Sequence, residues 1–181
     1  GCIILPVIIK LILKQSPLFI ANGVFSSLTT AFTTASSAAT LPILMDNTQK
    51  QLHVPHRVAS VVLPLGITIN MDGTALYECA GVLFIGQVMG IDLNISSQFT
   101  IVITALLASV GAAGIPSAGL VMIFIVTQAV GFQDADVAVI IGTMLAVDRP
   151  LDMMRTMVNI FSDSIGASVI AHSEGEALYQ D

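Results

Sequence analysis

The residues best suited to chemistry lie in one stretch near the carboxyl end. Asp148, Asp152, Arg155, Asn159 and Asp163 recur every three or four positions. At about 100° per helical residue they fall within an arc of roughly 80°. Ionisable and amide groups gathered on one stripe of an otherwise apolar helix are a candidate ion or substrate path. Apart from Arg149 and a few small polar residues, the rest of the stretch is apolar, as is most of 137–147 before it. Pro150 fits the first turn of this helix, where no backbone donor is lost. Two readings stand here: the solvated face of a soluble amphipathic helix, or a membrane helix whose stripe faces a cavity. Ionisable groups at membrane depth are costly and mark ion or substrate paths.

Composition decides between the two. Of 181 residues, 55% are hydrophobic and only 10% charged, against about 25% charged in a soluble domain; the mean hydropathy is +0.90. Residues 15–45 carry no charge, and residues 79–133 carry only Asp92. Such runs exceed the roughly 20 residues that cross a bilayer. The chain is expected to be an all-α, multi-pass membrane protein surrounded by lipid. A formal charge of −6 argues against nucleic acid as a partner. Cys2 and Cys79 form neither a disulfide framework nor a metal pattern and read as inert thiols.

The elements that must position the stripe show breaks inside apolar runs. Thr33-Thr34-Ala35-Ser36-Ser37-Ala38-Ala39-Thr40-Leu41-Pro42 interrupts the first long uncharged run. Small hydroxyl residues there suit a chain that reverses within the membrane, since hydroxyls and freed amides can serve one another or a ligand. A straight helix using small residues for close packing fits this segment too. Asn70-Met71-Asp72-Gly73-Thr74 breaks the next apolar span, and such residues favour turns. A broken membrane helix exposes carbonyls and helix ends that act on ions. Glu78 is a second carboxylate at membrane depth. Ser109-Val110-Gly111-Ala112-Ala113-Gly114-Ile115-Pro116-Ser117-Ala118-Gly119 reads as a further hairpin tip; no Gly-Lys-Ser/Thr ending makes it a phosphate loop. His53 and His56 read as part of a solvated loop, having no third ligand nearby in sequence.

A unit of small-residue hairpin followed by functional helix thus occurs twice. The expected division is 1–15, the end of a truncated transmembrane helix; 16–89, a first re-entrant hairpin and broken helix; 90–172, a second re-entrant hairpin and the striped helix; and 173–181, a tail. A reversing segment keeps both ends on one side, so the single crossing after it inverts the second unit, the inverted-repeat logic of secondary transporters. Lys10, Lys14, Lys50 and Arg57 fall on the side of the first hairpin's base, with Asp92, Asp134 and Asp136 opposite. Excess Lys and Arg mark the cytoplasm, which makes the tail cytoplasmic.

Four ordered motifs carry a resemblance: Ser36-Ser37-Ala38-Ala39-Thr40-Leu41-Pro42, Asn70-Met71-Asp72-Gly73-Thr74, the 109–119 segment, and Asp152 through Asp163. Together they resemble the glutamate/aspartate and neutral amino-acid transporter family, sodium- or proton-coupled dicarboxylate symporters. The resemblance implies no enzyme activity but symport of an acidic amino acid, with a C4-dicarboxylate or neutral amino-acid symporter, a passive channel and a non-transporting fragment as alternatives. It implies that Arg155 holds the substrate's acidic side chain, that Asp152 holds its amino group, and that Thr156 and Asn159 add polar contacts. Ser36, Ser37, Ile115 and Gly119 would close over the ligand, with Thr74 lining it. Sodium would be held by Asp163 with the backbones of Gly66, Asn70 and Asn159; by the backbones of Thr68, Ser109, Val110 and Ala112; and by Asp72 and Asn70. Met71 would lie between ion and substrate. Glu78 would be the proton-coupling residue, and the full-length protein would form a homotrimer. Members usually place an arginine just before the first tip serines or just after the substrate Asp; here these are Ala35 and Met153, leaving Arg149 as the substitute. The third serine of the first motif is Ala38, and Ser162 replaces the glycine before the last Asp.

Overall fold

The computed structural model describes residues 3–112, 118–176 and 178, and these form helices joined by short links. α1 (Ile4–Ile8) runs into a π-helical turn, Ile9–Leu13. Lys14 stops it in the left-handed conformation (φ 53°), and α2 (Pro17–Gly23) departs at 101° with Pro17 in its first turn. α3 (Phe25–Thr34) follows. Its threonines satisfy their hydroxyls within the helix: Thr29, Thr30, Thr33 and Thr34 donate to the carbonyls of Phe25, Ser26, Thr29 and Thr30.

Ala35, at φ 51°, then turns the chain, and the Ser36 hydroxyl caps α4 (Ser37–Gln51) by accepting from Ala39 N–H. Such caps satisfy a helix-end donor that has no intrahelical partner. α4 folds back on α3, since Asn47 Nδ2 donates to Ser26 Oγ (2.6 Å) and Ser27 Oγ (2.8 Å). The hydroxyl-rich run is therefore a helical hairpin and not one straight helix.

The expected break in the next span is present. α5 (His56–Ile69) ends before Asn70 and Met71, and α6 (Asp72–Val88) begins at the aspartate. Together residues 56–88 form a segment long and apolar enough to cross a bilayer. α7 (Ile95–Gly111) is capped by the Asn94 side chain. α8 (Ala118–Ala129) packs along it through Ile101, Ala105, Leu120 and Ile123. The tip 113–117, with Ile115, lies outside the described residues.

α9 (Asp134–Ser173) is one 40-residue helix. This corrects the expectation that Pro150 opens the striped helix: the helix starts 16 residues earlier and runs through it. Pro150 is exposed, and the helix runs through it at the cost of one backbone hydrogen bond.

Two apolar clusters use opposite ends of α9. One joins Ile20, Val24, Leu44 and Leu63 to Ile160, Ile165 and Ala171. The other joins Val82, Ile85, Ile101 and Ile123 to Val137 and Met144. The polar stripe spans the gap between them.

Candidate functional site

Burial settles which reading of the stripe holds. Asp148, Asp152, Arg155, Asn159 and Asp163 are between 1% and 6% exposed, so no part of the stripe is a solvated face. Each charge needs a partner in so dry a place. Arg155 finds one on its own helix, with Nε and Nη2 each 2.8 Å from Asp152 Oδ1. Its guanidinium lies over the Tyr77 ring, 4.8 Å from the centroid, within cation–π range. Tyr77 in turn donates to Asp148 Oδ1 at 2.7 Å. Arg155 Nη1 has no hydrogen-bond partner among the described residues and points at the backbone of Gly119.

A small, partly open cavity of about 10 Å3 has this pair in its wall. Ser37 from α4, Met71 and Thr74 at the broken span, Ala112 at the end of α7, and Asp152, Arg155, Thr156 and Asn159 from α9 line it. Asn159 Nδ2 donates to Thr74 Oγ1 (3.1 Å), and Asn159 Oδ1 accepts from Gly73 N–H (2.8 Å), which ties the break to α9. Thr156 bonds Asp152 O at 2.8 Å. Ser36 does not line the cavity but caps α4 beside it. Arg149 is exposed and outside the lining, so it does not replace the cation absent at Ala35 and Met153.

One to two turns further along α9 is a second polar cluster. Asn70 Nδ2 donates to Asp163 Oδ1 (2.8 Å) and Ser162 Oγ (2.7 Å), and Ser162 donates to Asp72 Oδ1 (3.0 Å). A Cβ on Gly66 would fall 2.5 Å from Asp163 Oδ1, so the glycine is what lets α5 approach the carboxylate. Asp163 Oδ2 is buried without a hydrogen-bond partner among the described residues. An orphaned carboxylate oxygen beside an amide, a hydroxyl and a second carboxylate is an oxygen-rich set that suits a hard cation. The remaining set is looser. α5 and α7 are in contact, and Ser109 and Ala112 are buried, but Thr68 and Val110 are exposed. Glu78 is fully buried, with neither carboxyl oxygen hydrogen-bonded among the described residues.

These motifs and this geometry agree with what comparison finds. The model of the sodium:dicarboxylate symporter family matches residues 1–173. The chain belongs to the sodium:dicarboxylate symporter family. It is 46% identical over all its residues to excitatory amino acid transporter 5 of Mus musculus, covering 32% of that protein. It is 48% identical over 93% of its length to excitatory amino acid transporter 4 of Rattus norvegicus, covering 29%. An excitatory amino acid transporter of Caenorhabditis elegans is 45% identical over 93% of the chain, covering 33%. The chain thus spans about a third of the length of these relatives. The family and these relatives are transporters, not enzymes. Membership together with the apolar span 56–88 places this symporter-family chain in a membrane.

Two partners in the symporter-family site escaped the sequence reading. Tyr77 stacks on Arg155, and its position one turn after Thr74 on α6 was the available signal. Ser162, noted only as a departure, bridges Asn70 and Asp72.

Proposed function

We propose that this chain is the substrate- and cation-binding core of a symporter for an acidic amino acid such as glutamate or aspartate, driven by sodium, with protons as the alternative coupling ion. The carrying observation is the buried Asp152–Arg155 pair in the wall of a cavity whose other polar lining, among the described residues, is hydroxyls and an amide. Asp152 and Arg155 neutralise each other across their ion pair. A dicarboxylic amino acid brings one partner for each: its side-chain carboxylate for the guanidinium, in the bidentate geometry Arg favours, and its ammonium for Asp152. Thr156, Asn159 and Thr74 meet the backbone carboxylate and ammonium. Ser37 and Gly119 would cover the ligand from the two hairpins, with Ser36 beside Ser37 and Ile115 in the second tip as further candidates.

Asp163 with Gly66, Asn70 and Asn159 would hold one sodium ion, Thr68 with Ser109, Val110 and Ala112 another, and Asp72 with Asn70 a third, near Met71. Bound sodium supplies positive charge that offsets these buried carboxylates. Asn159 and Gly73 link this cluster to the substrate cavity, so occupancy of one biases the geometry of the other. The two hairpins would be re-entrant and related as an inverted repeat (units 16–89 and 90–172), with residues 173–181 cytoplasmic and the complete protein a homotrimer.

Radiolabelled aspartate uptake in proteoliposomes tests this. Accumulation should require an inward sodium gradient and be abolished in Arg155→Cys, because a substrate carboxylate would be left buried and unpaired. Equilibration without accumulation, indifferent to sodium, would overturn symport in favour of a passive channel. Glu78→Gln should flatten the pH dependence of uptake; an unchanged profile would remove Glu78 from proton coupling.

A further inference from the structure

We infer that Gly119 is a specificity-determining residue, acting by the space it leaves for Arg155 and not only by covering a ligand. This rests on the reading above that Arg155 takes the acidic side chain. A Cβ built on Gly119 would overlap Arg155 Nη1 and would lie 2.7 Å from Cζ and 3.1 Å from Nη2. The guanidinium therefore occupies the volume of the missing side chain, and the first turn of α8 seats directly on it.

The guanidinium has little freedom to yield. Asp152 holds its Nε and Nη2 edge, the Tyr77 ring lies across one face, and Asp148 anchors the tyrosine hydroxyl. A methyl at position 119 must break the Asp152 contact, unstack Tyr77 or lift α8. The group displaced is the far end of a flexible side chain, so the helices can stay folded while the anion-binding geometry is lost. The second hairpin and the arginine thus report on each other: α8 reaches this seat only with a glycine at 119 and the guanidinium against Tyr77. A residue too small to reach α8 at position 155 frees position 119 to carry a side chain.

The test uses purified protein in lipid, with aspartate and serine binding measured for wild type, Gly119→Ala, Arg155→Cys, the double variant, and Gly142→Ala as control, since a Cβ on Gly142 meets nothing within 4 Å. Gly119→Ala should weaken aspartate binding at least about tenfold, from the overpacking penalty. In the Arg155→Cys background the same alanine should change serine binding by less than about twofold, because the partner of the clash is gone. Gly142→Ala should match wild type. If Arg155→Cys abolishes aspartate binding while Gly119→Ala binds it as wild type does, the clearance role is overturned and the substrate reading stands. If Arg155→Cys keeps aspartate binding, the substrate reading fails and this inference with it. Should Gly119→Ala prove unstable, Arg155→Cys must restore it; an equally unstable double variant shows that the added methyl meets something other than the guanidinium, which also overturns the inference.

Discussion

The α3–α4 hairpin and the α7–α8 pair both reach α9, yet they are held together by different forces. α3 and α4 are stapled by the Asn47 amide, which donates to two serine hydroxyls on the facing arm, and their described tip is closed by the Ser36 cap. α7 and α8 are joined by Ile101, Ala105, Leu120, Ile123 and Val126, and the hydroxyls of Thr100, Ser109 and Thr127 bond carbonyls of their own helices. Directional bonds fix one register between two arms. Apolar packing is non-directional and sets no hydrogen-bond register of its own. Among the described residues, then, the α3–α4 pair is tied by directional bonds and the α7–α8 pair by its apolar cluster.

The largest effect that sharpens this contrast should come from the apolar side. Ile123 is fully buried at the centre of the α6–α7–α8 cluster. Ile123→Ala should cost about 2–5 kcal/mol, as large-to-small core changes do. Hydrogen exchange should show faster amide exchange in α7 and α8 with little change in α3 and α4. Equal acceleration in both pairs would mean that they open as one unit and that the contrast is not mechanical.

Much of this organisation was legible in the sequence because it depends on residue type and spacing alone. The stripe, the break at Asn70 and Met71, and the reversal after Thr34 each follow from a local rule: helical periodicity, turn preference, or a cluster of small hydroxyl residues. Pro150 misled for the same reason. A proline marks a helix start by default, and nothing local says that the residues before it are helical too and that its ring faces outward. The Ser162 bridge and the partners of Tyr77 were not legible, because those partners lie 71 to 92 residues away in the chain; for Tyr77 only its place one turn after Thr74 was. Arg149 failed as the substitute cation through rotation alone: six residues before Arg155, it faces outward where Arg155 is buried.

A smaller effect is expected from the staple. Asn47→Ala removes both cross-arm bonds and should cost about 1 kcal/mol, the usual worth of a side-chain hydrogen bond in a membrane protein. Ser27 is fully buried, so its hydroxyl would be left to find a carbonyl on its own helix. The expected signature is local, with faster exchange in α4 and none in α8. Should Asn47→Ala leave α3 and α4 as protected as before, the difference between the two pairs would have to be assigned to their packing on α9.

The smallest effect belongs to a polar contact of another kind. Arg57, at the start of α5, pairs with Glu174 at 3.5 Å and with Glu176, beyond the end of α9. Its side chain is 66% exposed, and exposed pairs give back in lost side-chain entropy and salt screening what they gain in attraction. Arg57→Ala should therefore leave the melting temperature unchanged at physiological salt, in contrast to Asn47→Ala. Both residues make two side-chain contacts between distant segments, so the number of contacts cannot separate them; only burial of the partner does. A marked loss of stability in Arg57→Ala would show that the rim joining α5 to the end of α9, and not the Asn47 staple, fixes the first hairpin in place.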